Sequence, residues 1–283
     1  MRIAIVGTGL IGASLGLAWR AAGHWVAGAD SDPSALKTAL ERGALDAVVT
    51  PAQAREAQVL VLAMPLDAVC AMLTELVALR QPPELVLDVA SLQEPVLRAG
   101  RGLSTLVATH PMAGREGGGA GLAEAELFRG RTWIYEPGSG AAHAIALRLI
   151  GETGARALPM EARSHDRAVA ITSHLPQLLA LGLAHCVSRH REEPGVCEAA
   201  GPGLRSALRL ANARWTMWRP LLEAQRSRDA ELLDEVAARL EAFARTLRAG
   251  DEELLRAAFD EGAMLSGALF HHMEDAEGGQ DSA

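Results

Sequence analysis

The pattern of apolar and polar positions divides the chain into two parts. Short apolar runs alternate with helical segments as far as about Met160, and only helical patterns follow. Short apolar runs separated by helices are typical of parallel strands joined by crossover helices. The pattern therefore predicts an α/β domain over residues 1–160, a helical domain over residues 161–273 and a loose polar tail over residues 274–283.

Each predicted strand of the α/β domain is an apolar run that ends in turn residues. We predict strands at residues 3–6, 25–29, 47–49, 58–63, 84–89, 105–109, 131–136 and 155–159. Helices are predicted at residues 32–42, with Asp32 as the N-cap and Pro33 in the first position, and at residues 141–153. This alternation favours a doubly wound, mostly parallel, Rossmann-like sheet, whose ligands bind at the carboxyl ends of the strands.

The helical part contains two long apolar features. Leucine, valine and phenylalanine recur at three- and four-residue steps between Leu233 and Leu247, a spacing that predicts packing on other helices. Residues 168–187 hold no Asp, Glu, Lys or Arg, but they include polar residues that are costly in a membrane, such as His174 and Gln177. We therefore expect a helix buried in protein, and a homodimer formed through the helical domain to cover it.

Charge and composition exclude several classes of function. The net charge of −8, without a basic cluster, argues against nucleic acid as a partner. Lys37 is the only lysine, which excludes a Walker A motif and disfavours Schiff-base chemistry. The three cysteines lack a metal-type spacing, and no export segment precedes the first strand, so a cytoplasmic protein is expected.

The first strand leads into the motif Gly-x-Gly-x-x-Gly, formed by Gly7, Gly9 and Gly12. Such a turn points backbone N–H groups and a helix N-terminus at one small volume, which suits a pyrophosphate. Asp30 follows the second strand at the spacing expected of a ribose-binding carboxylate, and it favours NAD over NADP. The remaining predicted cofactor residues lie in this loop or after the strand at residues 58–63, and they are Leu10, Ile11, Met64 and Pro65. The alternatives are an ordinary tight turn and another adenosine-containing ligand.

Two polar residues follow later strands at the same predicted edge. His110 comes directly after the strand at residues 105–109, and Ser91 follows the strand at residues 84–89. A neutral imidazole there accepts a proton from a substrate hydroxyl as hydride leaves the same carbon. The structural alternatives are a histidine bonded to the backbone at a strand end, and a serine that caps a helix beginning at Leu92.

The combination of motifs resembles the prephenate and arogenate dehydrogenases of tyrosine biosynthesis, in the family's order from the first strand to about Trp218. The motifs are Gly7-Thr8-Gly9-Leu10-Ile11-Gly12, Asp88-Val89-Ala90-Ser91, His110-Pro111-Met112-Ala113-Gly114, His165-Asp166, Ser173-His174-Leu175-Pro176 and Leu204-Arg205-Ser206-Ala207-Leu208-Arg209-Leu210-Ala211. The resemblance implies oxidation of a ring hydroxyl by hydride transfer to NAD, with loss of the ring carboxylate as CO2. It also implies that His110 is the base, that Ser91 binds the same oxygen, and that Arg209 binds a substrate carboxylate.

Other residues of the matching motifs are weaker candidates for the substrate site. Glu116 follows the histidine motif and gates the pocket or pairs with an arginine, and His174 precedes a proline that opens room in its helix. Gln93 and Gln177 stand where many relatives have a lysine and a second histidine. Gln177 thus leaves the choice between a keto and an amino substrate open, and Arg115 is a candidate replacement for the missing lysine charge.

Rival functions share parts of this pattern. A β-hydroxyacid or imine reductase has the same overall plan, but such enzymes usually carry a lysine on the helical domain, where this chain has none. A methyltransferase that binds S-adenosylmethionine through the glycine loop and a non-catalytic NAD sensor are alternatives from other classes. The pair His165-Asp166 resembles that of metal phosphohydrolases, but further histidines at ligand spacing are lacking, so we expect no metal.

Overall fold

The computed structural model describes residues 1–115 and 117–278, with side chains described as far as His271. The chain forms two compact units. The first unit comprises Met1–Val169 and Trp215–Ala224, and the second comprises Ala170–Arg214 and the chain from Gln225 onward. The predicted boundary near residue 160 marks a change of secondary-structure type, and as a domain boundary it stays a prediction.

A six-stranded parallel sheet forms the centre of the first unit, in the order β3-β2-β1-β4-β5-β6. The strands are β1 (Arg2–Val6), β2 (Trp25–Ala29), β3 (Ala47–Val48), β4 (Val59–Leu62), β5 (Leu85–Asp88) and β6 (Leu106–Val107). This order reverses direction between β1 and β4, as in doubly wound dinucleotide-binding sheets. The predicted fold class is therefore confirmed.

Helices cover both faces of the sheet. Alternate residues of each strand face opposite sides, so an apolar strand presents apolar side chains to the helices on both faces. Ile3 and Ile5 of β1 pack with Trp19 in one cluster, and Ala4 and Val6 face a second cluster that includes Leu73. The helices that follow the strands are α1 (Leu10–Ala21), α2 (Pro33–Glu41), α3 (Pro51–Ala54), α4 (Leu66–Val77) and α5 (Glu94–Ala99). Every residue of β4 is completely buried, as expected for a central parallel strand.

A second, three-stranded sheet corrects one prediction. Residues 105–109 do not form a single strand: β6 ends at Val107, and β7 (Thr109–Pro111) pairs antiparallel with β8 (Thr132–Tyr135). β8 pairs in parallel with β9 (Arg156–Pro159), and α6 (Ala141–Glu152) joins these two strands. His110 therefore lies within a strand of the smaller sheet, shortly after the chain leaves the larger one.

The remaining described chain is helical, as its pattern predicts. The helices are α7 (Ala162–Val169), a π-helix (Ala170–His174), α8 (Leu175–His190), α9 (Pro202–Leu208), a 3-10 helix (Arg209–Asn212), α10 (Trp215–Ala249) and α11 (Glu252–Gly278). Residues 274–278, predicted as part of a loose tail, instead continue α11, and residues 279–283 lie outside the described residues.

The long apolar run is less buried than we expected. By length and composition alone, the helical stretch Ala162–His190 is able to cross a membrane, and 28% of its most apolar window is buried in the single chain. The chain itself therefore leaves much of this surface uncovered, although His174 and Gln177 within it are buried.

Candidate active site

The glycine loop joins β1 directly to α1, and two of its glycines lie in close contact with neighbouring backbone. A Cβ at Gly7, where φ is +95°, would lie 2.3 Å from the carbonyl oxygen of Ala63, and one at Gly12 would lie 1.9 Å from that of Gly7. A Cβ at Gly9, by contrast, would meet no atom within 4 Å. Gly7 and Gly12 thus permit close packing, while Gly9 leaves open space beside the N-terminus of α1, where a phosphate fits.

Asp30 is fixed at the end of β2. Its Oδ2 accepts the backbone N–H of Thr8 at 2.6 Å and the Thr8 hydroxyl at 3.1 Å, and its Oδ1 accepts the N–H of Asp32 at 2.9 Å. A carboxylate has about four acceptor positions. Asp30 therefore stays oriented by the glycine loop and retains capacity for a ribose hydroxyl.

The other predicted cofactor residues lie at the carboxyl ends of β1 and β4. Leu10 is the first residue of α1, and Ile11 follows it, partly buried against the core. Met64 and Pro65 connect β4 to α4, with Pro65 exposed at the N-cap of that helix. These residues border the same edge of the sheet as Gly7.

Asp88 connects the two strands that carry the catalytic candidates. Its carboxylate accepts the backbone N–H of Ala90 at 2.9 Å and that of Thr109 at 3.1 Å, and the Thr109 hydroxyl donates to the Asp88 carbonyl oxygen at 2.5 Å. Burial raises the pKa of Asp88 to about 7, against the lowering effect of these N–H groups. Asp88 thus holds the segment containing Ser91 beside the strand containing His110.

His110 begins a chain of side-chain hydrogen bonds that the sequence did not predict. Its Nδ1 lies 2.9 Å from Nε2 of His165, and Nδ1 of His165 lies 2.7 Å from Oδ1 of Asp166. The carboxylate of Asp166 also accepts the backbone N–H groups of Gln93 at 2.8 Å and Glu94 at 2.9 Å. His165 and Asp166 are completely buried, whereas His110 is partly exposed.

This setting keeps the imidazole of His110 neutral. Desolvation and the neighbouring His165 lower the pKa of His110 to about 3, and Asp166 opposes them. At neutral pH the imidazole is therefore unprotonated, and one ring nitrogen carries a lone pair that accepts a proton. Among the described residues, no group of three or more His, Cys, Asp or Glu side chains is arranged to hold a metal ion.

Ser91 lies in the loop between β5 and α5, but it does not cap the helix. The structural alternative for Ser91, the N-cap of a helix from Leu92, is wrong: the helix begins at Glu94, and Gln93 occupies the N-cap position. Gln93 is completely buried, and neither side-chain amide atom has a hydrogen-bond partner among the described residues. Ser91 is partly buried, and its side chain is not committed to a helix cap.

The two charged candidates, Arg115 and Glu116, follow β7 in the sequence. Arg115 is exposed and forms an ion pair with Glu124. The charge of Arg115 is thus already paired with a carboxylate. Its role as a substitute for the lysine found in many relatives stays a prediction. Glu116 lies outside the described residues, and its candidate role stays a prediction.

The second unit contains the other substrate candidates. His174 ends the π-helix and is almost completely buried, with Nδ1 at 3.1 Å from Oδ2 of Asp229. Gln177 is buried on α8, and Arg209 is exposed at the start of its 3-10 helix. Sequence reasoning missed Asp229, because a single carboxylate in a long, charge-rich helix carries no distinguishing signal.

Two family models match consecutive parts of this chain. The model described as the prephenate dehydrogenase nucleotide-binding domain matches residues 15–158, and that described as the prephenate dehydrogenase dimerization domain matches residues 161–261. Together they cover both the α/β part and most of the helical part.

Individual relatives have the same description. The chain is 35% identical over 181 residues to a probable prephenate dehydrogenase of Streptomyces niveus, covering 62% of this chain and 49% of that protein. It is 30% identical over 247 residues to the prephenate dehydrogenase of Bacillus subtilis, covering 82% of this chain and 66% of that one. The chain therefore spans about half to two thirds of the length of these relatives.

A solved structure shows the same fold. The crystal structure of prephenate dehydrogenase from Aquifex aeolicus in complex with hydroxyphenyl propionate and NAD+ matches with a TM-score of 0.85 at 21% identity. The match covers 95% of this chain and 98% of that chain.

Proposed function

The chain belongs to the prephenate dehydrogenase family, and we propose that it is an NAD-dependent dehydrogenase acting on prephenate, arogenate or both. In this reaction the ring hydroxyl is oxidised, the ring carboxylate leaves as CO2, and the ring becomes aromatic. One observation carries the proposal: His110, a neutral base, is tied through Thr109 and Asp88 to the sheet edge where the glycine loop lies.

The proposed cofactor is NAD, which accepts the hydride when it is bound. The open space beside Gly9 and the N-terminus of α1 suit its pyrophosphate, and Asp30 suits the hydroxyls of its adenosine ribose. The negative charge of Asp30 repels a 2′-phosphate, so NAD is favoured over NADP. Leu10, Ile11, Met64 and Pro65 complete the proposed cofactor edge.

His110 and Ser91 are the proposed catalytic residues. We infer that His110 accepts the proton of the ring hydroxyl as the hydride leaves the carbon that bears it. Ser91 donates a hydrogen bond to the same oxygen and keeps the hydroxyl aligned with the imidazole. The short polar segment from Asp88 to Ser91 supports this role, since Asp88 fixes its position relative to the His110 strand.

Substrate recognition is proposed to use the carboxylates of the dicarboxylic substrate. Arg209 is the proposed carboxylate-binding residue, because a guanidinium binds a carboxylate through two parallel hydrogen bonds. His174, Gln177, Arg115 and Glu116 are the further candidates. Of these, His174 is held by Asp229 and Arg115 by Glu124, so each has a fixed protein partner beside any substrate role.

A homodimer and a cytoplasmic location complete the proposal. The family model over residues 161–261 is described as a dimerization domain, and α11 exposes large apolar side chains that include Phe259 and Met264, 79% and 74% exposed in the single chain. A second copy would remove such surface from water. The free state of the three cysteines supports a reducing, cytoplasmic compartment.

The test is a purified-enzyme assay that follows NADH by its near-ultraviolet absorbance. Prephenate and arogenate are each offered with NAD and with NADP, alone and in competition. We expect NADH from at least one substrate, with NAD preferred, and a molecular mass in solution of twice the chain mass. A methyltransferase gives no NADH, and an NAD sensor binds NAD without turnover, so either outcome rejects the proposed reaction. A β-hydroxyacid or imine reductase is recognised by activity on β-hydroxyacids or imines together with no activity on prephenate or arogenate.

A further inference from the structure

A buried pair lies behind His110, and the proposed reaction leaves it without a role. His165 and Asp166 are both fully buried, and they contact His110 from the side of its Nδ1. We propose that this pair is a positioning device that holds His110 in the tautomer with its lone pair on Nε2 and supplies the counter-charge when His110 takes up a proton. This inference rests on the proposed role of His110 as the base.

The tautomer follows from donor and acceptor capacities along the chain of contacts. An ionised carboxylate only accepts hydrogen bonds, and Asp166 already accepts two backbone N–H groups. Nδ1 of His165 must therefore carry the hydrogen that it donates to Asp166. A neutral His165 then has its lone pair on Nε2, which accepts the hydrogen on Nδ1 of His110. A neutral His110 consequently has its lone pair on Nε2, the nitrogen that does not contact His165.

The same contacts stabilise the product of proton transfer. When Nε2 of His110 takes the hydroxyl proton, the ring becomes a cation whose Nδ1–H still donates to His165. The negative charge of Asp166 lies one ring further along, and it acts against the burial that otherwise disfavours a charged His110. The titratable groups on this path are His165 and Asp166, and Asp88, whose pKa burial raises to about 7, lies near Asp166.

The backbone anchors show why Asp166 is well suited to this task. Both of its oxygens are held at the N-terminus of α5, by Gln93 and Glu94, so the carboxylate has a fixed position relative to the segment that contains Ser91. His165 stands edge-on to His110, with ring planes at 83° and centroids 5.1 Å apart. An edge-on ring directs a nitrogen at its neighbour, whereas a stacked ring does not.

The substitution Asp166→Asn tests the counter-charge. Oδ1 accepts both the backbone N–H of Gln93 and the hydrogen on Nδ1 of His165, so the amide oxygen is favoured in that position and the amide nitrogen replaces Oδ2 beside the Glu94 N–H. The ring tautomers are then kept, but the negative charge that stabilises protonated His110 is lost. We expect kcat to fall by about 10²-fold or more in D166N, with the KM for NAD within about threefold of the wild type.

A matched series at His165 separates positioning from structural support. His165→Gln keeps an acceptor for His110, whereas His165→Leu removes it, so kcat is expected to fall by about 10²-fold in H165L and to be restored to within about tenfold of wild type in H165Q. His190→Leu is the control, since His190 and Glu193 form a histidine–carboxylate pair that is exposed. If H165Q is as slow as H165L, or if D166N and H165L keep kcat within about threefold of wild type, the proposal is wrong.

A nitrogen-15 NMR measurement on the wild-type protein keeps the inference testable if the variants fail to fold. Protonated and unprotonated ring nitrogens have well-separated chemical shifts, so the tautomers of His110 and His165 are read without substrate. We expect hydrogen on Nδ1 and a lone pair on Nε2 in both rings. Hydrogen on Nε2 of His110 overturns the inference whatever the activity. Absence of turnover with both substrates instead rejects the proposed function and leaves the tautomer result standing.

Discussion

The carboxylate of Asp88 accepts the backbone N–H of Thr109 at 3.1 Å, so a buried side chain joins the last residue of β5 to the first residue of β7. Its other oxygen accepts the N–H of Ala90. His110 is the next residue after Thr109, and Ser91 the next after Ala90. A single carboxylate thus fixes the separation of the two proposed catalytic side chains by binding the backbone of the residue that precedes each of them.

Replacing Asp88 by alanine is expected to destabilise the protein. The change leaves the N–H groups of Ala90 and Thr109 buried without acceptors, at about 1–3 kcal/mol for each group. Asp88→Asn keeps one acceptor, so the free energy of unfolding should fall by about half as much as in D88A. Urea denaturation at pH 8 is the suitable measurement, because this pH lies above the pKa of Asp88, which burial raises to about 7, so the native side chain is mainly the carboxylate that accepts both N–H groups.

The control for this change is Asp67→Ala. Asp67 forms an exposed ion pair with Arg219, and such pairs contribute about 0–1 kcal/mol. A free energy of unfolding for D88A within about 0.5 kcal/mol of the wild type would contradict the role assigned to Asp88.

His110→Asn is expected to remove the base while leaving the cofactor site intact. The loss of general-base catalysis should lower kcat by about 10²-fold or more. The glycine loop and Asp30 do not depend on the imidazole, so the Kd for NAD should stay within about threefold of the wild type. Steady-state kinetics and equilibrium binding of NAD measure the two effects separately. A near-normal kcat would remove His110 from the mechanism.

The local parts of the fold were predictable because short-range chemistry determines them. The apolar run Trp25–Ala29 forms β2 with the predicted bounds. Asp32 caps α2 through the N–H of Ser34, and Pro33 occupies the first turn, as its fixed φ allows. Gly12 likewise reflects a contact within one strand–turn–helix unit, since a Cβ there would meet the carbonyl oxygen of Gly7.

The errors arose where distant residues decide the structure. Serine is a residue type that commonly caps helices, but Ser91 does not cap α5. The N–H groups of Gln93 and Glu94 at the start of α5 instead donate to Asp166, which lies 73 and 72 residues further along the chain. The strand predicted at residues 105–109 divides because Thr109 bonds to Asp88 and pairs with Tyr135. No local pattern predicts either contact. The His110–His165 contact was missed for the same reason.

The low pKa of His110 predicts a pH dependence of stability. The native imidazole stays neutral down to about pH 3, whereas an unfolded histidine takes up a proton near its ordinary value of 6.5. Between these values the unfolded state binds more protons, so the free energy of unfolding falls as the pH falls below 6.5. Asparagine does not titrate, so H110N lacks this contribution.

The measurement compares the wild type with H110N in urea at pH 7 and pH 5. The stability advantage of H110N over the wild type should grow by about 1–2 kcal/mol on going to pH 5. Asp88 has the opposite pH dependence, because its raised pKa lets the native state hold the extra proton, but it is present in both proteins and cancels in the difference. A difference that is independent of pH would mean that native His110 is not a neutral base.

Arg209 is expected to act on substrate affinity rather than on the chemical step. A charge-assisted hydrogen bond to a carboxylate contributes about 1.5–3 kcal/mol, so Arg209→Gln should lower kcat/KM for the dicarboxylic substrate by about 10- to 100-fold, mainly through KM. Arg209→Lys keeps the charge but loses the two parallel bonds, so its kcat/KM should lie between those of the wild type and R209Q.

The matched control is Arg205→Gln, since Arg205 is exposed on α9 one helical turn earlier. The KM for NAD should be unchanged in all three variants. Equal effects of R205Q and R209Q would indicate a general loss of positive charge, and a fall in kcat alone would place Arg209 in the reacting step instead of in carboxylate binding.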